Sequence, residues 1–335
     1  MTNSYLITGV AGFIGSELSR RLLALGHKVI GVDDFSYGYE DNLQGLIGNP
    51  KFEFVEGSIL DVSFSNLLPK VDYVLHFAGI SSLPECEANP ELAINVNVAG
   101  TARILQACRL IGIKRLFFAS TSALYENSEQ TPFCENETLN PDLVYSVTKL
   151  AAEKVCQAYI RNYGLDVVIG RFFNVYGPHQ DYKRANPPFT SYLIREVMRD
   201  RQPVLYNSSD SKRDYIYVDD LAKDLFGLIH KPFLKYDIYN LTSGASYTPR
   251  QILATLSKVL DREIFADFGS PREFWSKYPD LFGGDRPLSE DRLKKEILKQ
   301  SVGSNARVVE ELGYRSYISL ESGLSEIIKF QKPVF

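Results

Sequence analysis

The sequence predicts an α/β fold, in which a doubly wound parallel sheet is joined to a smaller α/β lobe. Two features of the 335-residue chain predict it. Short apolar runs alternate with amphipathic helical patterns through the first half of the chain, which is typical of parallel strands linked by helices. After Arg171, prolines and glycines punctuate the chain and strand patterns become shorter and scarcer, which indicates a second lobe.

The predicted elements follow one another in a regular order along the chain. Predicted strands cover residues 5–8, 28–32, 52–55, 71–77, 115–119 and 166–169. Predicted helices cover residues 93–110, 147–163, 189–198 and 248–260, and one more helix ends before Gly26. We assign residues 1–175 to the main domain, to which a segment at about 214–242 returns. Residues 176–213 and 243–335 are assigned to the smaller lobe.

The composition narrows the classes of function. The net charge is -4 at pH 7, so the basic surplus of a nucleic-acid-binding protein is missing. No run approaches the ~20 apolar residues of a membrane-spanning helix, and no signal peptide is apparent. The four cysteines include no C-x-x-C pair, so neither a metal site nor a disulfide framework is expected. We therefore expect a cytoplasmic protein with reduced thiols.

A glycine-rich turn lies between the first predicted strand and the helix after it. Gly9, Gly12 and Gly15 form a G-x-x-G-x-x-G spacing, a variant of the Rossmann dinucleotide-binding turn. Glycines here let the backbone approach a pyrophosphate at the positive end of the helix. Asp33 ends the second strand, where a carboxylate binds the ribose hydroxyls of NAD and repels the phosphate of NADP. The alternative is that Asp33 and Asp34 only cap a loop.

A tyrosine and a lysine form a second candidate constellation. Tyr145 and Lys149 stand four residues apart at the start of a predicted helix, so both side chains can face one cleft. A nearby ammonium stabilises phenolate and lowers the pKa of a tyrosine from its ordinary value of about 10. Such a phenolate serves as a general base in alcohol oxidation. The alternative is an exposed helical pair, but the hydroxyl run at 120–122 favours an active site.

With these residues together, the chain resembles the extended short-chain dehydrogenase/reductase family, in its NDP-sugar epimerase and dehydratase branch. It is most similar there to UDP-hexose 4-epimerases. The resemblance covers nearly the whole chain. The motifs that carry it, besides the glycine turn and the Tyr-Lys pair, lie at residues 76–79, 97–101, 121–125, 171–178 and 213–220.

The resemblance implies NAD as the cofactor and three sets of site residues. The implied catalytic residues are Thr121, Tyr145 and Lys149. The implied cofactor-binding residues are Gly9, Gly12, Phe13, Ile14, Gly15, Asp33, Ser58, Ile59, Phe77, Ala78, Gly79, Asn97, Ser120, Tyr145, Lys149 and Phe172. The implied substrate-binding residues are Ser81, Ser82, Thr121, Ser122, Ala123, Asn174, Arg213 and Arg292.

Three positions keep more than one interpretation. Counting back from the closing segment at 304–314 places Arg292 at a second diphosphate arginine, with Arg286 as its competitor. Glu126 replaces a glycine of the family, where it either contacts substrate or is a solvated loop charge. Cys86 either lines the sugar pocket or packs as a small apolar group.

The resemblance also implies a common first step, in which Tyr145 takes the C4 hydroxyl proton of the sugar while a hydride moves to the nicotinamide. Dehydratases of this family need a carboxylic acid and a carboxylate after the hydroxyl residue, and this sequence has Ser122 and Ala123 there. We therefore expect a nucleotide-sugar C4-epimerase. The open alternatives are a dehydratase, a 4-ketoreductase or a C4 dehydrogenase of the same family, and a non-catalytic sugar-nucleotide-binding protein.

The expected partners follow from the same resemblance. The implied substrate is a nucleotide-diphosphate sugar, with a UDP-sugar favoured, and no binding to nucleic acid or membranes is expected. The family usually dimerises through two helices of each subunit, which here are the predicted helices 93–110 and 147–163. Apolar residues expected on their outward faces are Ile104, Ala151, Val155 and Tyr159. We therefore expect a homodimer.

Overall fold

The computed structural model of the chain describes residues 2–184, 187–206 and 211–331. Its strands are β1 (Ser4–Thr8), β2 (Lys28–Asp33), β3 (Phe52–Glu56), β4 (Tyr73–His76), β5 (Arg115–Thr121), β6 (Val167–Phe172), β7 (Asn174–Tyr176), β8 (Val204–Leu205), β9 (Arg213–Tyr217), β10 (Ile238–Leu241), β11 (Ser246–Tyr247) and β12 (Asp267–Phe268).

The helices alternate with these strands through the first half of the chain. They are α1 (Phe13–Ala24), α2 (Phe64–Leu67), α3 (Leu83–Ala88), α4 (Pro90–Ile94), α5 (Thr101–Ile111), α6 (Val144–Tyr163), α7 (Phe189–Met198), α8 (Val218–His230), α9 (Pro249–Leu260), α10 (Pro271–Phe274), α11 (Glu290–Leu298), α12 (Ala306–Leu312) and α13 (Leu320–Gln331). Short 3-10 turns cover Glu40–Leu43, Leu68–Lys70, Ser122–Tyr125 and Pro279–Phe282, and a π-helical turn covers Asn95–Gly100.

The main sheet has seven strands in the order β10-β6-β5-β4-β1-β2-β3, and every neighbouring pair is parallel. From β1 the chain builds β2 and β3 on one side, and then crosses back to build β4, β5 and β6 on the other. The loops after β1 and β4 therefore diverge and leave a crevice at the carboxyl ends of these strands. This order confirms the predicted doubly wound sheet and fixes where a dinucleotide can bind.

Helices cover both faces of the main sheet, so consecutive strand residues enter different cores. Ile7 and Phe117 pack with α1 and α8 in one core, whereas their neighbours Leu6 and Phe118 pack with α5 and α6 in the other. All four side chains are at most 1% exposed. The continuous apolar runs of the sequence are therefore buried parallel strands.

The smaller lobe contains two short sheets and a helical core. β9 pairs in parallel with β7 and antiparallel with β11, while β8 pairs with β12. Leu193 of α7, Ile252 of α9 and Ile327 of α13 meet in its core. Within the segment 214–242, β10 joins the main sheet beside β6, whereas β9 lies in the small sheet.

Two helices differ from the sequence prediction. The helical segment predicted at 93–110 starts at Pro90, because α4, the π-helical turn and α5 follow one another without a break. α6 starts at Val144, three residues before the predicted start, so Tyr145 lies in its first turn. Ile104 was expected to face outward, and this is wrong: it is fully buried, because the face of α5 that carries Ile104 and Cys108 packs on the sheet. No helix in the described ranges is both long and apolar enough to span a bilayer.

Candidate active site

A large cavity opens at the carboxyl ends of β1 and β4 and continues toward the smaller lobe. Its volume is ≈ 1130 Å³, which is more than the ~300–1,000 Å³ of a typical site and suits two ligands side by side. The predicted residues that line it are Gly9, Gly12, Phe13, Ile14, Gly15, Asp33, Ser58, Ile59, Phe77, Ala78, Gly79, Ser81, Ser82, Ser120, Thr121, Tyr145, Lys149, Phe172, Asn174 and Arg213. Four predicted residues do not line it, namely Asn97, Ser122, Ala123 and Arg292.

The glycine turn leaves room for the pyrophosphate of a dinucleotide. Gly9 has a φ of +73°, and a Cβ at this position would lie 2.8 Å from the backbone nitrogen of Ala78. A Cβ on Gly15 would collide with the carbonyl oxygen of Gly9. No side chain caps the N-terminus of α1, so its first N–H groups are available to an anion. These residues therefore fit the pyrophosphate of NAD.

Asp33 is fixed at the end of β2 by two backbone donors. Its Oδ2 accepts the N–H of Ala11 at 2.8 Å, and its Oδ1 accepts the N–H of Phe35 at 2.9 Å. Burial raises the pKa of this carboxyl group, although both hydrogen bonds oppose the effect. Asp33 thus orders the loop after β2 and also lines the cavity, so the two interpretations of this residue are compatible.

Tyr145 and Thr121 meet on the cavity wall. The side chain of Thr121, at the end of β5, is hydrogen-bonded to the phenol of Tyr145, in the first turn of α6. Burial raises the pKa of Tyr145 to about 12, and the hydrogen bond with Thr121 opposes this. The lowering expected from Lys149 is not found: the pKa of Tyr145 is set by burial, the hydrogen bond with Thr121 and a smaller raising effect of Cys86. The phenol therefore keeps its proton at neutral pH until more positive charge is brought to it.

Lys149 is buried one helical turn after Tyr145. Its ammonium nitrogen lies 4.3 Å from the ring centroid of Phe118, where the aromatic face stabilises a cation. Burial lowers the pKa of Lys149 to about 8, an effect that Cys156 and Glu153 partly offset. A buried lysine with a pKa near neutrality is a common feature of active sites.

A buried ion pair holds the catalytic helix from behind. Arg171 of β6 donates twice to Glu153 of α6, from Nε at 3.0 Å and from Nη2 at 2.8 Å. The hydroxyl of Ser120 donates to the same carboxylate at 2.5 Å. Nη1 of Arg171 donates to the Tyr125 hydroxyl at 2.7 Å, which in turn donates to Asn240 at 2.8 Å. The ends of β5, β6 and β10 are thereby tied to α6.

Asn97 supports the cofactor loop and lies outside the cavity. Its Nδ2 donates to the carbonyl of Ile80 and to Oγ1 of Thr148, both at 3.0 Å, and its Oδ1 accepts the N–H of Ile80 at 2.9 Å. The amide is 2% exposed. Its polar atoms are occupied by protein groups, so its position gives no support to the direct cofactor contact that the sequence indicated.

Arg213 and Asn174 line the cavity where the smaller lobe begins. Nη2 of Arg213 donates to the carbonyls of Glu296 and Ile297, at 3.1 and 3.4 Å. Nδ2 of Asn174 donates to the carbonyl of Asp214 at 2.7 Å. Arg213 is therefore a cation on the cavity wall that also connects β9 to α11.

Glu126 is neither a substrate contact nor a solvated loop charge. Its side chain is 0% exposed, and it does not line the cavity. Oε1 accepts the N–H of Leu143 at 2.9 Å and also that of Asp142. Oε2 accepts the hydroxyl of Ser146 at 3.0 Å and lies 2.9 Å from Nη2 of Arg292. Both sequence-based interpretations of Glu126 are wrong, because the loop folds back onto the start of the catalytic helix.

The remaining predicted substrate residues also lie away from the cavity. Ser122 and Ala123 belong to the 3-10 turn after β5, in which the N–H of Ala123 donates to Oγ1 of Thr121 at 3.1 Å. Of the two candidate diphosphate arginines, Arg286 is exposed and Arg292 faces Glu126.

Several cavity residues were not expected from the sequence. They are Tyr37, Arg184, Arg195, Tyr206, Trp275 and Lys277. Trp275, the single tryptophan of the chain, is 1% exposed and packs with Leu143 and Leu293. These residues belong to no recognisable motif. The only feature of the sequence that could have indicated some of them is the irregular, aromatic-rich segment around Trp275.

Cys86 packs as a small apolar group. It is fully buried beside Ala93, and its thiol donates to the carbonyl of Ile80 at 3.7 Å. It is not among the residues that line the cavity. The structure therefore favours packing over a place in the sugar pocket.

Comparison with known proteins agrees with this geometry. Residues 5–242 match the profile of a family described as the NAD-dependent epimerase/dehydratase family. The chain belongs to this family. A UDP-glucose 4-epimerase of Mycolicibacterium smegmatis is 30% identical over 328 residues, which cover 97% of each protein. An uncharacterized UDP-glucose epimerase of Bacillus subtilis is 32% identical over 310 residues, which cover 87% of this chain and 96% of that protein.

A solved structure of an epimerase has the same fold as this chain. The UDP-N-acetylglucosamine 4-epimerase of Methanobrevibacter ruminantium, in complex with UDP-N-acetylmuramic acid, superimposes with a TM-score of 0.87. It is 25% identical, and the match covers 100% of this chain and 99% of that one. The predictions of the family, the fold, an NAD-dependent enzyme and NAD as the cofactor are therefore confirmed.

Proposed function

We propose that this chain is a UDP-sugar 4-epimerase that keeps NAD bound through its catalytic cycle. The observation that carries the proposal is the hydrogen-bonded pair of Thr121 and Tyr145, on the wall of a cavity that also contains the dinucleotide turn. A base beside a reacting hydroxyl and a hydride acceptor are the two requirements of alcohol oxidation. The UDP-sugar epimerases among its relatives support the choice of nucleotide.

The roles of the side chains follow from this arrangement. When bound, NAD supplies the hydride acceptor and donor for C4, and its oxidised ring adds positive charge that favours the phenolate. Tyr145, with Lys149 one turn away, accepts the proton of the C4 hydroxyl, and Thr121 hydrogen-bonds the same oxygen. The sugar thereby loses a proton and a hydride and becomes a 4-keto sugar. Return of both, with the hydride on the opposite face of C4, inverts that carbon.

The surroundings of Thr121 support epimerisation over dehydration. Loss of water needs an acid for the departing hydroxyl and a base for the neighbouring carbon. Ser122 and Ala123 provide neither group, and the carboxylate of Glu126 is buried against α6. With these residues, we expect a 4-keto sugar to take the hydride back and not to lose water.

The cavity offers polar groups to both the diphosphate and the sugar of the substrate. We propose that Arg213 and Asn174 bind the diphosphate, because a guanidinium offers a planar pair of donors to phosphate oxygens. Ser81 and Ser82, after β4, line the same cavity and offer hydroxyls to the sugar.

Mass spectrometry of the purified protein, released from its ligands by mild denaturation, tests the proposal. We expect the denatured sample to contain NAD together with a UDP-sugar. An epimerase regenerates its cofactor in every cycle, so NAD stays bound during turnover and through purification. A chain that releases no nicotinamide would support a reductase or dehydrogenase that exchanges its cofactor at each turnover.

We further propose that the protein is a cytoplasmic homodimer. The four free thiols support a reducing compartment. On the helices expected at the dimer interface, Leu110, Val147 and Tyr163 are exposed, and packing against a second copy would cover them. Light scattering should return twice the chain mass of 37.8 kDa. A monomer mass would contradict the dimer.

A further inference from the structure

We propose that Glu126 positions the catalytic helix, and that Arg292 acts through Glu126 as its ion-pair partner instead of binding the diphosphate. The inference rests on the proposed function, because the helix in question carries Tyr145. It assigns a role to an unusual glutamate and changes the role that sequence resemblance gives to Arg292.

The start of α6 has no cap of its own. Leu143 is the N-cap residue, and its apolar side chain accepts no hydrogen bond. Two carboxylates from other segments take its place. Glu126 accepts the N–H of Leu143 at 2.9 Å and the Ser146 hydroxyl at 3.0 Å, and Glu87 accepts the N–H of Val144 at 2.6 Å. Negative charge at this end also complements the helix dipole.

A carboxylate as buried as Glu126 needs a cation. Its side chain is 0% exposed, so water does not screen its charge. Glu87 adds a second negative charge: burial and Glu126 raise the pKa of Glu87, while its hydrogen bond from Val144 and the charge of Arg292 lower it. Nη2 of Arg292, 2.9 Å from Glu126, is the positive group at this cluster.

The position of Arg292 on α11 separates it from the cavity. Glu296 and Ile297 of the same helix line the cavity and accept hydrogen bonds from Arg213, whereas Arg292 does not line it. The side chain of Arg292 is 13% exposed. Its Nε, Nη1 and Nη2 have no hydrogen-bond acceptor of good geometry among the described residues, a feature that suits a phosphate. The carboxylates that Nη2 faces are nevertheless those of Glu126, at 2.9 Å, and of Glu296 on the same helix, at 3.6 Å.

Glu126 caps the turn of α6 that carries Tyr145. Tyr145 is the second residue of α6, next to the groups that Glu126 holds, and its phenol must stay in contact with Thr121. Loss of the cap lets the first turn of the helix shift or fray. Displacement of a catalytic group by about 1 Å is enough to cost up to about a hundredfold in rate. Binding of UDP, which the proposed function assigns to Arg213 and Asn174, does not depend on this turn.

The test compares Arg292→Met, Arg292→Lys, Glu126→Gln and the double variant Glu126→Gln/Arg292→Met in the NAD-loaded protein. Lys295→Met is the matched control, because it removes a positive charge from an exposed position on the same helix. Steady-state kinetics gives kcat and KM for the UDP-sugar, calorimetry gives the Kd of UDP, and thermal unfolding gives Tm.

We expect Arg292→Met and Glu126→Gln each to lower kcat by about tenfold or more, with the Kd of UDP within about twofold of the unmodified protein. The double variant should lose no more than the worse single variant, because the two residues act as one unit. Arg292→Lys should recover most of kcat, since an ammonium also pairs with Glu126. Lys295→Met should match the unmodified protein.

Two results would overturn the inference. One is a Kd of UDP weakened by about tenfold or more in both Arg292→Met and Arg292→Lys with kcat unchanged, because that identifies a diphosphate ligand. The other is independent behaviour of the two residues. In that case the fold-loss of kcat in the double variant equals the product of the two single fold-losses, and its loss of Tm equals the sum of the two single losses. If the unmodified protein neither binds UDP nor acts on UDP-sugars, the proposed function fails, and the Tm values alone then decide whether Glu126 and Arg292 are coupled.

Discussion

Glu153 and Arg171 form a bidentate ion pair between the catalytic helix and β6, with nitrogen–oxygen distances of 3.0 and 2.8 Å. Their side chains are 2% and 3% exposed. Neither residue lines the cavity, so the pair does not bind the substrate. Lys149 lies one helical turn before Glu153, and the pair therefore holds the segment of α6 that carries the catalytic lysine.

Breaking this pair should destabilise the protein strongly. Arg171→Met leaves the carboxylate of Glu153 buried without a cation, and we expect a loss of about 3–5 kcal/mol in the free energy of unfolding. Arg161→Met removes an exposed arginine from α6, the helix that carries Glu153. This variant should change the free energy of unfolding by less than about 0.5 kcal/mol. Denaturant titration measures both. Equal stability of the two variants would show that the pair contributes nothing.

Removal of the Tyr145 hydroxyl should stop turnover and leave binding intact. We expect Tyr145→Phe to lower kcat by about a hundredfold to ten-thousandfold, the usual contribution of a positioned base. The Kd of UDP should stay the same, because the diphosphate site lies elsewhere in the cavity. Tyr163→Phe removes a hydroxyl from an exposed position of the same helix and should be fully active. Full activity of Tyr145→Phe would leave a non-catalytic sugar-nucleotide-binding protein as the better account.

Lys149 should give the cofactor-free protein a stability that depends on pH. Burial lowers its pKa from 10.5 to about 8, so between these values the folded state binds fewer protons than the unfolded state. The contribution of Lys149 to the free energy of unfolding therefore rises as the pH rises from about 8 toward 10, and below about 8 the full penalty applies. An opposite slope comes from Cys86, Cys108 and Cys156 above about pH 9, because burial raises their pKa values from 9.0. Tyr145, with its pKa raised from 10.0 to about 12 by burial, adds to that opposite slope above pH 10.

Urea titrations of the cofactor-free protein between pH 7 and 9 measure this slope below the range in which the buried thiols oppose it. Lys149→Met should remove the rise, whereas Lys154→Met, at an exposed position of the same helix, should keep it. His76 does not interfere, because burial lowers its pKa to about 3. Parallel curves for Lys149→Met and the unmodified protein would contradict the burial of a charged lysine at this site.

Asp33 should determine the choice between NAD and NADP. Asp33→Asn keeps the shape of the side chain and one of its two acceptor oxygens, but removes the charge that repels a ribose phosphate. We expect NAD to bind about tenfold more weakly and the preference for NAD over NADP to fall. Asp61→Asn, an exposed aspartate outside the cavity, should leave both affinities unchanged. A preference for NAD that survives Asp33→Asn would show that other residues reject the phosphate.

The parts of the fold and site that could be predicted depend on local signals. The continuous apolar runs through Ile7 and Phe117 predict buried parallel strands, and the turn at Gly9 predicts the crevice beside β1, because both depend on neighbours in sequence. Tyr145 and Lys149 share a helix and could be paired by their spacing. The burial of Ile104 was not predicted, because α5 carries apolar residues on more than one side: Ile104 and Cys108 are buried, whereas Leu110 is exposed.

The parts that could not be predicted depend on contacts between distant segments. Glu126 meets Arg292 across 166 positions, and no spacing rule connects a loop after β5 to a helix in the smaller lobe. Trp275 lines the cavity from a segment without a motif. Asn97 lies in one of the motifs that carry the family resemblance, but only its bonds to Ile80 and Thr148 show that it supports the loop after β4 from outside the cavity.

Proton NMR of the NAD-loaded protein in deuterated water, with UDP-glucose, UDP-N-acetylglucosamine and UDP-glucuronate supplied in turn, tests C4 epimerisation itself. We expect at least one of these sugars to convert to its C4 epimer up to an equilibrium. The product should carry no solvent deuterium at C4, and reduced nicotinamide should not accumulate, because the hydride returns to the carbon it left. A product that has lost water and gained deuterium, a build-up of reduced nicotinamide, or no C4 epimer from any of the three sugars would contradict this expectation.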